Sequence, residues 1–183
     1  MRTRNTNSIK KRAFTLIELL VVIAIIGLLA SIVLIALNSA RAKSRMAARV
    51  ATLRELSTAL ELYYNDHNGY PATAGGWYTS CDGAHTANTV IPGLTPNYIP
   101  ELNADPLASC ASGGSNIYAY NSNGTDYKFE ITFLSDITAA QVISGYVTYA
   151  DPNRMAGYNP DGCGAPPFVA TTLAIWTSGY ACQ

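Results

Sequence analysis

Residues 14–37, FTLIELLVVIAIIGLLASIVLIAL, constrain this chain more than any other stretch. A helix of that length rises about 36 Å, enough to cross the ~30 Å hydrocarbon core of a bilayer. Only Glu18 interrupts the run with a formal charge. Placing an acid near the centre of a spanning helix costs about 2.5–3.5 kcal/mol, and less toward its end. A plain anchor has no use for that residue, so Glu18 needs a partner that the run itself does not supply.

Charge on either side of the run fixes its direction. The chain of 183 residues is formally neutral, but residues 1–13 hold five basic side chains (Arg2, Arg4, Lys10, Lys11, Arg12) and no acid. Basic flanks stay on the cytoplasmic side, so the carboxyl end of the run points outward and the remainder is exported. A cleaved secretory signal would have an apolar core of roughly 7–15 residues ending in small residues. Here the core is longer and continues into the basic segment NSARAKSRMAARV. Five more basic residues (Arg41, Lys43, Arg45, Arg49, Arg54) lie within 38–54, after which two bases face eleven acids. That distal deficit argues against nucleic-acid binding, which needs clustered Lys and Arg.

Residues 38–66 contain neither Pro nor Gly. Met46, Val50, Leu53, Leu56, Leu60 and Tyr63 recur every three or four positions, which predicts one apolar stripe of an amphipathic helix. Arg49, Arg54, Glu55 and Glu61 are assigned to the rest of its circumference. Asn68-Gly69 is the stop signal, and Tyr70-Pro71 the extended exit. His67 and His85 are read as surface histidines in loops. The stretch 71–93 reads as loop with at most a short helical piece, and YIPELNADP as a Pro-punctuated connection. Tyr127, Phe129, Ile131 and Phe133 alternate with Lys128, Glu130 and Thr132 beyond Asn123-Gly124, which predicts a hairpin. GYVTYA (145–150) and TTLAIWTS (171–178) are further strand candidates, with a long loop between them. A hairpin alone is marginal, and the helix stripe supplies its partner.

All four cysteines, Cys81, Cys110, Cys163 and Cys182, fall in the exported part, which suggests two disulfides. Three pairings are possible, and proximity favours Cys81 with Cys110 and Cys163 with Cys182. Cys81 and His85 lack the further ligands of a zinc site. Asp151, Asn153, Asn159 and Asp161 fit no calcium-loop spacing. No GxSxG elbow, HExxH helix or phosphate loop is present, so neither an enzyme nor a cofactor is expected. Asn123-Gly124-Thr125 matches a glycosylation sequon.

The stretch KKRAFTLIELLVVIAIIGLLA resembles the class III signal of type IV pilins and pseudopilins, in which a basic leader precedes a cleavage site, then Phe, three residues and Glu. LRELSTALELYYNDHNGYP and YIPELNADP resemble later segments of the same family, including the major pseudopilin of type II secretion. The resemblance implies an α+β pilin fold: a long N-terminal helix packed on a small antiparallel sheet with disulfide-closed loops. Four stretches follow: a leader (1–13), a transmembrane or filament-core helix (14–37), its amphipathic continuation (38–68) and a globular head (69–183). It further implies cleavage between Ala13 and Phe14 by a prepilin peptidase, and methylation of the new Phe14 amine. Glu18 then pairs with the amine of a neighbouring subunit, each charge offsetting the other's desolvation.

Two features depart from the family pattern. Ala13 stands where Gly is usual, and there is no Pro between Phe14 and Tyr70, leaving Gly27 and Ser31 as the only weak points of the apolar helix. The implied function is a structural subunit of a type IV pilus-like filament. Its alternative is the type II secretion pseudopilin, and behind that an accessory pilin for adhesion or DNA uptake. Partners are copies of itself, the peptidase, an assembly platform with its ATPase motor, and lipid of the cytoplasmic (inner) membrane before assembly. The filament would then be extracellular, or periplasmic for a pseudopilus.

Overall fold

The computed structural model describes residues 14–111, 114–132, 134–149 and 171–177. Outside these lie residues 1–13 with Ala13, Phe133, the long loop with Asp151, Asn153, Asn159 and Asp161, and both Cys163 and Cys182. The elements are helix α1 (Leu16–His67), strands β1 (Tyr78–Thr79), β2 (Ile117–Ser122) and β3 (Tyr127–Thr132), helix α2 (Ala139–Tyr146) and strand β4 (Leu173–Trp176). A single turn of 3₁₀ helix, Val147–Tyr149, follows α2. Two compact units divide the chain at Arg41 and Ala42, and α1 contributes to both.

In the second unit the predicted stripe is buried. Met46, Leu53, Leu56 and Leu60 join Val90, Leu94, Leu102 and Val142 in one core. The sheet runs β1-β2-β3-β4, antiparallel throughout. Tyr118 pairs with Ile131 and Tyr120 with Phe129, while Leu173 and Ile175 continue those rows on β4. All six side chains meet the core. Two buried tyrosines keep their hydroxyls bonded, Tyr118 to the Asn103 carbonyl at 2.8 Å and Tyr120 to that of Pro71 at 2.9 Å. Helix α1 ends where Asn68 adopts a left-handed φ of 53° and donates its amide to the Tyr64 carbonyl at 2.7 Å. Next, Tyr70 donates its amide to the Gly124 carbonyl at 2.7 Å. A Cβ at Gly69 would meet that same oxygen at 3.0 Å, so the helix exit seats against the hairpin turn.

Four expectations are corrected. Residues 145–149 are not a strand, Ala150 lying outside the described residues: Gly145 and Tyr146 finish α2, and Val147–Tyr149 is 3₁₀. The reason is a capping box, in which Gln141 Oε1 accepts the Thr138 amide at 2.8 Å and the Gln141 amide reaches Thr138 Oγ1 at 3.4 Å. The stretch 71–93 contains strand β1, which pairs Tyr78 with Tyr120. His67 closes α1 rather than sitting in a loop, its ring stacked on Tyr63 at 4.0 Å. Both faces of the hairpin are covered, and Lys128 and Glu130, which alternate with its core residues, are each only 1% exposed.

The fourth correction concerns Arg49, which is 3% exposed and not on the solvent side of α1. Its Nε donates to Asp105 at 2.5 Å, its Nη1 to Asp136 at 2.8 Å, and its Nη2 to Asn116 at 3.1 Å. Arg45 holds the other oxygen of Asp136 at 2.6 Å. Asn116, itself fully buried, donates its side-chain amide to the Leu107 carbonyl and to Ser135. One guanidinium therefore ties α1 to the loop before β2, to the entry of β2 and to the segment after β3. Burial acts to lower the Arg49 pKa, but the two carboxylates outweigh it and raise the pKa above the ordinary arginine value.

Replacing Arg49 by Met leaves buried Asp105 without its cation and Asp136 with Arg45 alone, and the expected loss is about 3–5 kcal/mol. Denaturant unfolding of the detergent-solubilised chain measures it, and an unchanged midpoint would refute the anchoring role. Acid should weaken the same site. Burial pushes the Asp136 pKa up, but hydrogen bonds and charge from Arg45 and Arg49 hold it below the ordinary value of 3.8. The unfolded chain therefore binds the proton first, so this stabilisation is complete above about pH 4 and lost as pH falls through the folded pKa. Unfolding followed from pH 6 to about pH 2 should show that decline, and Asp136→Asn should flatten part of it.

Candidate functional site at the start of the first helix

The site begins where α1 begins. Thr15 is the N-cap and Glu18 the third helical residue, which is the spacing of a capping box. Glu18 Oε2 accepts the Thr15 amide at 2.8 Å and the Thr15 hydroxyl at 2.7 Å, while the Glu18 amide reaches Thr15 Oγ1 at 3.3 Å. The box occupies one carboxylate oxygen. Oε1 has no partner among the described residues, so the carboxylate keeps one oxygen for an outside donor. An acid in the first turn also matches the positive end of the helix dipole. The Thr-x-x-Glu signature was legible in FTLIE, but only Glu18 was singled out from it.

Beyond the box, none of the described apolar side chains of the run is buried. Phe14 is 76% exposed, and Leu16, Ile17, Ile23, Leu28 and Val33 are similarly open. The most apolar 18-residue window of α1 has a mean hydropathy of 3.2 and no buried share, and by length and composition the helix is able to cross a membrane. Water does not tolerate a contiguous apolar surface of this extent, so lipid or other helices must cover it. Ser31 returns its hydroxyl to the Leu28 carbonyl at 2.7 Å, and a Cβ at Gly27 would meet nothing within 4 Å.

The other singled-out residues lie in the second unit. Cys81 is bridged to Cys110, which removes its sulfur from any metal reading. His85 stacks on Tyr78 at 4.2 Å and places Nδ1 2.7 Å from Asp82. Among the described residues no group of three or more His, Cys, Asp or Glu side chains converges. The sequence reading missed the cluster of Arg49, Asp105, Asn116 and Asp136. A signal was available, since Arg49 lies three residues after Met46 and four before Leu53, inside the stripe.

The family described as the prokaryotic N-terminal methylation motif matches residues 9–34, which bracket the capping box and most of the apolar run. Over 102 residues the chain is 36% identical to type II secretion system core protein G of Escherichia coli (strain K12), covering 53% of this chain and 67% of that protein. The chain belongs to the type IV pilin and pseudopilin family. Fimbrial proteins are similar to it as well. The match to a probable minor fimbrial protein of Dichelobacter nodosus is 36% over 93 residues, covering 51% of this chain and 55% of that one. With fimbrial protein EcpC of Eikenella corrodens it is 35% over 89 residues, 48% and 58% respectively. The chain thus spans about two thirds of the first relative and little more than half of the fimbrial ones. No solved structure matches.

In detergent, Thr15→Val should expose the Glu18 amide, which loses its hydroxyl acceptor. Hydrogen exchange is expected to speed up at Glu18 and remain unchanged from Ile23 onward. Equal exchange in both proteins would mean that the box does not hold the helix start.

Proposed function

We propose that this chain is a structural subunit of a type IV pilus-like filament, held in the cytoplasmic membrane by α1 until it polymerises. The observation that carries the reading is the methylation motif lying directly over a capped helix whose apolar residues have no cover of their own. A prepilin peptidase removes residues 1–13 by cutting between Ala13 and Phe14, and the Phe14 amine is methylated. Cleavage leaves that amine four residues before Glu18, whose Oε1 is free to accept from the amine of a neighbouring copy. A charge buried alone in an apolar core is costly and a paired one far less so, which makes the contact a register device.

The partners are other copies of this chain, the peptidase, and an assembly platform with its ATPase motor. The alternative, a type II secretion pseudopilin forming a short periplasmic filament, is favoured by the E. coli relative and fits the same features. Both readings place the work in packing rather than in bond-making. Pairing of Cys163 with Cys182 is proposed as a second covalent closure in the head.

Intact mass and N-terminal sequencing of protein from native membranes should find a chain starting at methylated Phe14. Glu18→Ala should leave the subunit in the membrane and abolish sedimentable filaments. A mature chain retaining residues 1–13, or normal filaments from the variant, would overturn the proposal.

A further inference from the structure

The turn between β2 and β3 carries Asn123-Gly124-Thr125, the chain's one Asn-x-Ser/Thr sequence with a residue other than Pro between. Its geometry is that of a rigid and accessible acceptor. Asn123 and Thr125 are exposed, although the strands on both sides are buried. Asn123 Oδ1 accepts the amides of Thr125 at 2.9 Å and Asp126 at 2.8 Å. These bonds fix the side chain and draw electron density toward the oxygen, leaving Nδ2 as the group presented to solvent. Neither Asn123 Nδ2 nor the Thr125 hydroxyl has a partner among the described residues. Gly124, at φ 91°, has its amide on Ser122 Oγ at 3.0 Å and its carbonyl on the Tyr70 amide at 2.7 Å. The turn is thus anchored from below through the middle residue of the sequon, while both chemically relevant side chains face outward.

We propose that Asn123 is an N-glycosylation site. The substrate class is a glycan carried on a membrane polyprenyl pyrophosphate. In the transfer a bond forms between Asn123 Nδ2 and the anomeric carbon, the bond from that carbon to the phosphate oxygen breaks, and the pyrophosphate lipid leaves. Nδ2 gives up one proton. The Thr125 hydroxyl, unused by the fold, is the group a transferase reads. The structure separates this role from a merely structural one. An Asx turn needs only an oxygen acceptor at position 123, which Asp supplies as well as Asn. It needs no hydroxyl at position 125.

This inference rests on export of the second unit, as in the proposed function, so the test reads both from one sample. The full chain is purified from its native membranes, and fragmentation mass spectrometry is run on the N-terminal peptide and the peptide containing Asn123. The expected result is a sugar-bearing Asn123 in the natural chain and in Thr125→Ser. Asn123→Asp and Thr125→Val should both lose the sugar, with unchanged thermal unfolding. Bare or deamidated Asn123, sugar confined to Ser or Thr, or sugar persisting on Asn123 in Thr125→Val would each overturn the proposal. If the N-terminal peptide starts at methylated Phe14 while Asn123 is bare, only the glycan inference fails. A retained leader would strike the functional reading instead.

Discussion

A buried guanidinium is the constraint around which the second unit is arranged. Arg49 lies in the apolar stripe of α1, where an unpaired charge would cost several kcal/mol. Its partners come from three separate places in the chain: Asp105, Asn116 and Asp136. The pairing offers five donors to fixed acceptors in a planar fork, a geometry that lysine cannot reproduce. Hydrophobic burial alone would let the loop before β2 slide along the helix with little penalty. The charged cluster gives it one position, because displacement separates opposite charges in a medium of low dielectric.

The first unit has the opposite character. Its helix makes its own hydrogen bonds, from the Thr15–Glu18 box through the helical ladder, yet the most apolar window among its described residues is not buried at all. Among the described residues this stretch has its secondary structure without apolar cover from the chain, and this is the condition of a helix that takes its solvent from elsewhere. The match to the methylation motif falls on this same stretch, and the pilin and pseudopilin relatives are consistent with it. One chain therefore joins an uncovered apolar helix to a unit stabilised by its own core.

Much of this was legible beforehand. The apolar stripe, the stop at Asn68-Gly69, the hairpin about Asn123-Gly124 and the strand at Leu173–Trp176 are all written in local periodicity and turn chemistry. The errors share a physical origin. Residues 145–150 look β-prone, but the capping box at Thr138 starts a helix upstream that runs into them. Strand β1 is two residues long and exists through its pairing with β2, so no window of sequence reveals it. The burial of Lys128 and Glu130 likewise depends on what covers their face, which their alternation with the core residues does not reveal.

By itself the sequence determined the class of the molecule: a long apolar helix with one acid near its start, a basic segment before it, and an acidic distal part. Those properties depend on composition and on contacts within one helical turn. The identity of the partners of Arg49, the burial of the hairpin's polar face and the pairing of Cys81 with Cys110 were settled only in three dimensions. Each joins residues tens of positions apart, and the energy of such a pair depends on the dielectric and geometry of the place where they meet.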